Sequence, residues 1–73
     1  MSMLPQVSGA DVVRTLRKLG FTIRRQHGSH IILRRDDPFA QTVVPEHRQI
    51  DRGTLRAILR QSGITAEDLT KML

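Results

Sequence analysis

Apolar residues in the first third of the chain recur at helical spacing. Val12, Val13, Leu16 and Leu19 fall on one side of a helix, and Arg14, Arg17 and Lys18 fall mostly on the other. Ser8, followed three residues later by Asp11, has the form of a capping box, and Val7 and Val12 can close a hydrophobic staple around it. The spacing therefore predicts a helix that starts at Gly9. Gly20 supplies a left-handed stop, after which Phe21 can fold back on Leu16 as in a Schellman motif.

From Phe21 the period changes to two. Phe21 and Ile23 alternate with Thr22 and Arg24, and a second such run spans Ser29 to Arg35. Two hairpin registers fit the residues between these runs. A two-residue turn at His27-Gly28 pairs Ile23 with Ile32, whereas a three-residue loop Gln26-His27-Gly28 pairs Ile23 with Ile31 and Phe21 with Leu33. The second is preferred. It collects Phe21, Ile23, Ile31 and Leu33 on a core face and leaves Thr22, Arg24, His30, Ile32 and Arg34 on the opposite one. Asp36-Asp37-Pro38 reads as a turn, and Gln41 to Val44 as a third strand ended by Pro45.

Asp51 is a suitable cap for a helix from Arg52 to about Ser62, with Leu55, Ile58 and Leu59 inward and Gly63 as its stop. Thr65 and Asp68 form a further capping box that opens a short last helix. The predicted order is helix, three strands, helix, short helix, within one domain over residues 1–73. Each main helix has one apolar stripe to bury, so the economical packing is an α+β fold. It places both helices on one face of an antiparallel sheet and leaves the other face open.

Composition narrows what such a domain can do. At 73 residues, a chain buries only about 60% of the surface its unfolded form exposes, so its ligands are expected on the surface rather than in an internal chamber. Cysteine is absent, which excludes disulfides, zinc-thiolate sites and thiol nucleophiles and suits a reducing compartment. No apolar run approaches the ~18 residues of a membrane span, and the N-terminal Met1-Ser2-Met3-Leu4-Pro5 lacks the pattern of a signal peptide. The expectation is a soluble, cytoplasmic protein with no membrane partner. The net charge is +5 and ten of the twelve basic residues are arginine, whose planar fork suits phosphate. Phe21 and Phe39 are the only aromatic residues, so contacts to a nucleic acid should favour backbone over stacked bases.

His27, His30 and His47 are the only side chains with an unperturbed pKa suited to proton transfer near neutrality. In the preferred register His30 lies on the open face between Arg24 and Arg34, which combines a proton-transfer group with phosphate donors. The plain alternative is a surface histidine without a task. His27 falls at the hairpin tip, where turn propensity explains it, and His47 follows the third strand as a second substrate contact or a loop residue. Asp36, Asp37 and Glu46 show no recognised ligand spacing, and no metal site is expected. Ser29 and His30, as neighbours in a strand, would point to opposite faces and cannot form a nucleophile pair. Arg52, Arg56 and Arg60 make a ridge on the second helix that either is merely solvated or meets an acidic partner, RNA or DNA.

Several separated motifs agree with one family. They are Leu19-Gly20-Phe21, Arg25-Gln26-His27-Gly28-Ser29-His30, Val44-Pro45-Glu46-His47, and Gly53-Thr54-Leu55-Arg56 with Ile58-Leu59 and Gly63-Ile64. In this order and spacing the chain resembles the HicA toxins of type II toxin–antitoxin systems, from about Ser8 to Ile64. The resemblance implies a fold like the double-stranded RNA-binding domain. It implies an endoribonuclease that cleaves mRNA and arrests translation, and a HicB-like antitoxin that neutralises it; no cofactor is expected. The family's catalytic histidine, in Gly-Ser-His, falls on His30. The expected RNA contacts are then Arg24, Arg25, Arg34, Gly28, Ser29 and His47. Glu46 departs from what a phosphate-gripping loop would prefer. A binding module of the same fold that holds structured RNA without cutting it is the alternative.

Overall fold

Each helix begins where a side chain takes up an unpaired backbone amide. The computed structural model describes residues 3–73. Its first helix, α1 (Gly9–Lys18), is opened by Ser8, whose hydroxyl accepts from the Asp11 N–H at 3.0 Å while the Asp11 carboxylate accepts from the Ser8 N–H at 3.1 Å. The Thr65–Asp68 box opens α3 (Ala66–Met72) in the same way, at 3.0 Å each. Asp51 opens α2 (Arg52–Ser62) by accepting from the N–H of Thr54 at 3.0 Å and from its hydroxyl at 2.6 Å. Such a cap is worth about 1 kcal/mol. At the other end of α1 the Phe21 and Gly20 N–H groups donate to the carbonyls of Leu16 and Arg17, with Gly20 at φ 93°, which is the Schellman closure the spacing predicts.

Three strands follow α1: β1 (Thr22–His27), β2 (His30–Asp36) and β3 (Phe39–Pro45). They form one antiparallel sheet in the order β1-β2-β3. The helices lie on one face of it. Val12 and Leu16 from α1 and Leu55, Ile58 and Leu59 from α2 are buried with Ile31, Leu33 and Val44 from the sheet, and Phe21 and Leu69 of α3 complete the same cluster. Arg35 closes one end of it, its guanidinium 4.6 Å from the Phe21 ring centroid and its Nε donating to the Pro38 carbonyl at 3.0 Å. The α-β-β-β-α layout of a double-stranded RNA-binding domain results, with α3 added against α1. Among the described residues no helix is long and apolar enough to cross a membrane.

The β1–β2 register corrects both sequence-based expectations. Ile23 stands opposite Leu33, Gln26 opposite Ile31 and His27 opposite His30, with a bulge between Ile23 and Arg25. The turn is therefore the dipeptide Gly28-Ser29, and Phe21 precedes the sheet. The extra residue that the expected three-residue loop placed at the tip is absorbed instead at Arg24. A bulge lets Ile23 keep the core side while His27 and His30 close a tight turn.

The helices leave β1 only partly covered. The packing of α2 is against β3, and α1 is shared between β3 and β1, so every β1 side chain is exposed. Ile23, although on the core side, is 45% exposed.

The N-terminus of α1 is pressed onto the segment that follows β3. The Gly9 N–H donates to the His47 carbonyl at 2.9 Å, and the Ile50 N–H to the Val7 carbonyl at 2.9 Å. A Cβ on Gly9 would run into the Pro45 carbonyl and Glu46 Cα, all of it backbone. Gly9→Ala should therefore cost roughly 1–3 kcal/mol, as overpacking does, and lower the Tm by several degrees. An unchanged Tm would show that this contact yields freely.

The helix caps also set an acid limit. Asp11, Asp51 and Asp68 lie below the ordinary value of 3.8. The leading causes are the Ser8 N–H for Asp11, the Thr54 hydroxyl for Asp51 and the Thr65 N–H for Asp68. A carboxylate with a depressed folded pKa stabilises when ionised. Its contribution is complete above the unfolded value and is lost as the pH falls through the folded one. The Tm, followed by circular dichroism, should decline as the pH drops below about 4, and less steeply in Asp51→Asn.

Candidate active site

Gly28 and Ser29 form the two-residue turn between β1 and β2. Gly28 has φ 56° and Ser29 does not enter the left-handed region, the pattern of a type II′ hairpin that needs glycine first. The turn is pinned from the side. Gln26 Nε2 donates to the Gly28 carbonyl at 3.0 Å and to Glu46 Oε1 at 3.1 Å, and the Glu46 N–H donates to the Ser29 carbonyl at 2.6 Å. Glu46 is thus engaged in holding the hairpin rather than projecting as a free charge.

Burying Ile31 and Leu33 turns His30, Ile32 and Arg34 to the uncovered side of the sheet. His30 is flanked there by His27 on β1 and Pro45 on β3. Residues directly opposite across antiparallel strands have Cβ atoms about 4.5–5.5 Å apart. The two histidines therefore leave the sheet from neighbouring positions on the same face. Among the described residues, neither these rings nor that of His47 has a hydrogen-bond partner, and all three residues are exposed.

The arginines are arranged differently from the sequence-based expectation that His30 lies between Arg24 and Arg34. Arg25 stands opposite Ile32 and shares the His30 face, while Arg24 occupies the bulge beside it. Arg34 is four residues along β2 from His30, about 13 Å at strand rise. It is half-buried, and its Nε lies 3.0 Å from Asp36 Oδ1. Ile32, Val43 and Phe39 lie on this same face, the last two well exposed.

Ser29 belongs to the turn rather than to a strand, so the strand-alternation argument does not apply to it; its carbonyl is its structural contribution. His47 lies in the connector after β3, with its carbonyl held by Gly9. Arg52, Arg56 and Arg60 are exposed on the helix layer, away from the sheet face that carries His30. Among the described residues no three His, Asp or Glu side chains are grouped to hold a metal ion. Nothing in the sequence pattern marks Gln26, and turn propensity alone places His27 in a loop. The signal that would have found His27 is Gly28-Ser29 itself, a dipeptide suited to a two-residue hairpin turn.

Compared with known families, residues 9–64 match the model of the HicA toxin of bacterial toxin–antitoxin systems. The chain belongs to the HicA toxin family. The matched stretch is most of the chain and runs from the first residue of α1 to the residue after Gly63, so it includes the sheet, the Gly28-Ser29 turn and His30. No curated protein matches the chain. HicA membership makes the chain a toxin of a toxin–antitoxin system and implies a cognate antitoxin partner. Helix α3 lies beyond the match, yet Leu69 is fully buried in the common core.

Because Gln26 ties the turn to Glu46, Gln26→Ala should loosen the hairpin tip without unfolding the chain. Loss of roughly 1.4 kcal/mol of local stability corresponds to about tenfold faster amide exchange. The His30 and Glu46 amides should show that change while the Tm moves little. Unaltered exchange at both would show that Gln26 does not brace the turn.

Proposed function

We propose that this toxin is an endoribonuclease that cleaves mRNA at the exposed sheet face and so arrests translation in the cytoplasm. One observation carries the reading: His27 and His30, whose imidazoles have no partner among the described residues, stand opposite each other on an uncovered face beside Arg25. Cleavage by transesterification needs one group to accept a proton and another to donate one. One imidazole takes the proton of the RNA 2′-hydroxyl as its oxygen attacks the adjacent phosphorus. The P–O5′ bond breaks, and the leaving 5′-oxygen takes a proton from the other imidazole. The products are a 2′,3′-cyclic phosphate and a 5′-hydroxyl, and water supplies no atom to this step. His30, pinned between two strands, is the principal group and His27 its partner.

Arg24 and Arg25 are the nearest arginines to supply guanidinium donors to the phosphate and to the charge that grows on it. Arg34 and His47 contact the RNA further along. Gly28 and Ser29 hold the turn that sets both imidazoles. The attacking group comes from the substrate, so the reading calls for no metal ion. A HicB-like protein is the expected antitoxin, and the whole chain acts as one such domain.

His30→Ala should keep the fold and most RNA affinity while cleavage falls about 10²–10⁴-fold, the usual worth of a general acid or base. Wild-type cleavage should persist with EDTA present, and His27→Ala should cleave more slowly than the wild type while keeping its fold. Full cleavage by folded His30→Ala would refute the assignment. RNA that shifts on binding but keeps its length would instead support a module that holds structured RNA.

A further inference from the structure

The open corner between α1 and β1 forms a groove of about 660 Å³ on the helix side of the sheet, away from the face that carries His30. Its floor is aliphatic: Ala10 and Val13 from α1, Ile23 and Ile31 from the sheet. Ala10 and Ile23 are its exposed members, Ile23 at 45% although Leu33 opposite it is fully buried. One rim carries Arg14, Arg17 and Lys18. Of these, Arg14 is paired with Asp11, and Arg17 and Lys18 have no ion-pair partner among the described residues.

We infer that this groove is a docking site for an acidic amphipathic helix of a protein partner. An aliphatic floor offers no hydrogen bond to a nucleobase or phosphate but buries the leucine or isoleucine ridge of a helix. Cations on a single rim then select carboxylates on one flank of that helix. Strand addition to β1 is the other way to occupy an open sheet edge. The bulge at Arg24 interrupts the hydrogen-bonding row there, and Arg24 and Arg25 charge it, so the edge is built against pairing. The groove ends at Gln26 and Glu46, the side chains that pin the Gly28-Ser29 turn, so an occupant touches the residues that hold His30 in place.

The inference rests on the antitoxin partner that HicA membership implies, not on cleavage at His30. The probe is accordingly the cognate antitoxin, titrated into the toxin and into its variants. Ile23→Glu should weaken binding by about 30-fold or more, the loss typical of a central apolar contact. Arg17→Glu with Lys18→Glu, both on the exposed side of α1, should weaken it roughly tenfold and flatten its salt dependence. RNA affinity of Ile23→Glu should stay at the wild-type level. If Ile23→Glu does not fold, the α1 pair decides alone. Wild-type antitoxin affinity in the variants would overturn the inference, as would loss of RNA affinity with antitoxin affinity kept. A toxin that binds its antitoxin through the groove but leaves RNA uncut would overturn the nuclease reading and leave this one standing.

Discussion

The pleat of the central strand is the constraint from which the exposed surface follows. With hydrogen-bonded neighbours on both sides, β2 can place Ile31 and Leu33 beneath the helices only by presenting His30, Ile32 and Arg34 to solvent. A slip of one residue would bury an imidazole and a guanidinium and expose two core residues. Hydrophobic burial of order 1.5–3 kcal/mol for each large aliphatic side chain thereby fixes the direction of His30. The position of the imidazole is a by-product of core packing and needs no contact of its own.

The structure divides its arginines between two tasks. Arg35 is tied into the fold, over Phe21 and against the Pro38 carbonyl, while Arg34 stays on the face that carries His30, half-buried beside Asp36. Arg24 and Arg25 carry no ion pair among the described residues and lie where the β1 bulge turns the edge outward. The same bulge keeps Ile23 on the helix side, so one inserted residue shapes both the basic face and the apolar groove behind it. A net charge of +5 therefore says less than its placement.

The helices were legible in the sequence because their signals are local. Ser8 with Asp11, Asp51 with Thr54, and Thr65 with Asp68 act within one turn, and Gly20 and Gly63 end α1 and α2 by their own backbone preference. The exposed side of β2 was legible for a related reason, since alternation is a property of the strand alone. Pairing across the hairpin was not. Whether the odd residue sits in the loop or in the strand depends on how Ile23 meets Leu33 and on Glu46, twenty positions from Gln26, gripping the turn. That is why His27 read as a loop residue. The uncovered groove escaped for the same reason, because helix periodicity says which side of α1 is apolar but not how far α1 sits from β1.

The clasp between α1 and the connector after β3 bears on how the molecule meets proteases. Arg48 lies exposed in the irregular connector between β3 and α2, where a trypsin-like enzyme would be expected to cut first. Cleavage requires several residues to peel away into an extended strand. Here the carbonyl of His47 and the amide of Ile50 are both anchored to the start of the first helix, one on each side of Arg48. Digestion at this site must await a wider opening that separates the chain's beginning from its middle, so the connector is guarded by residues forty positions earlier.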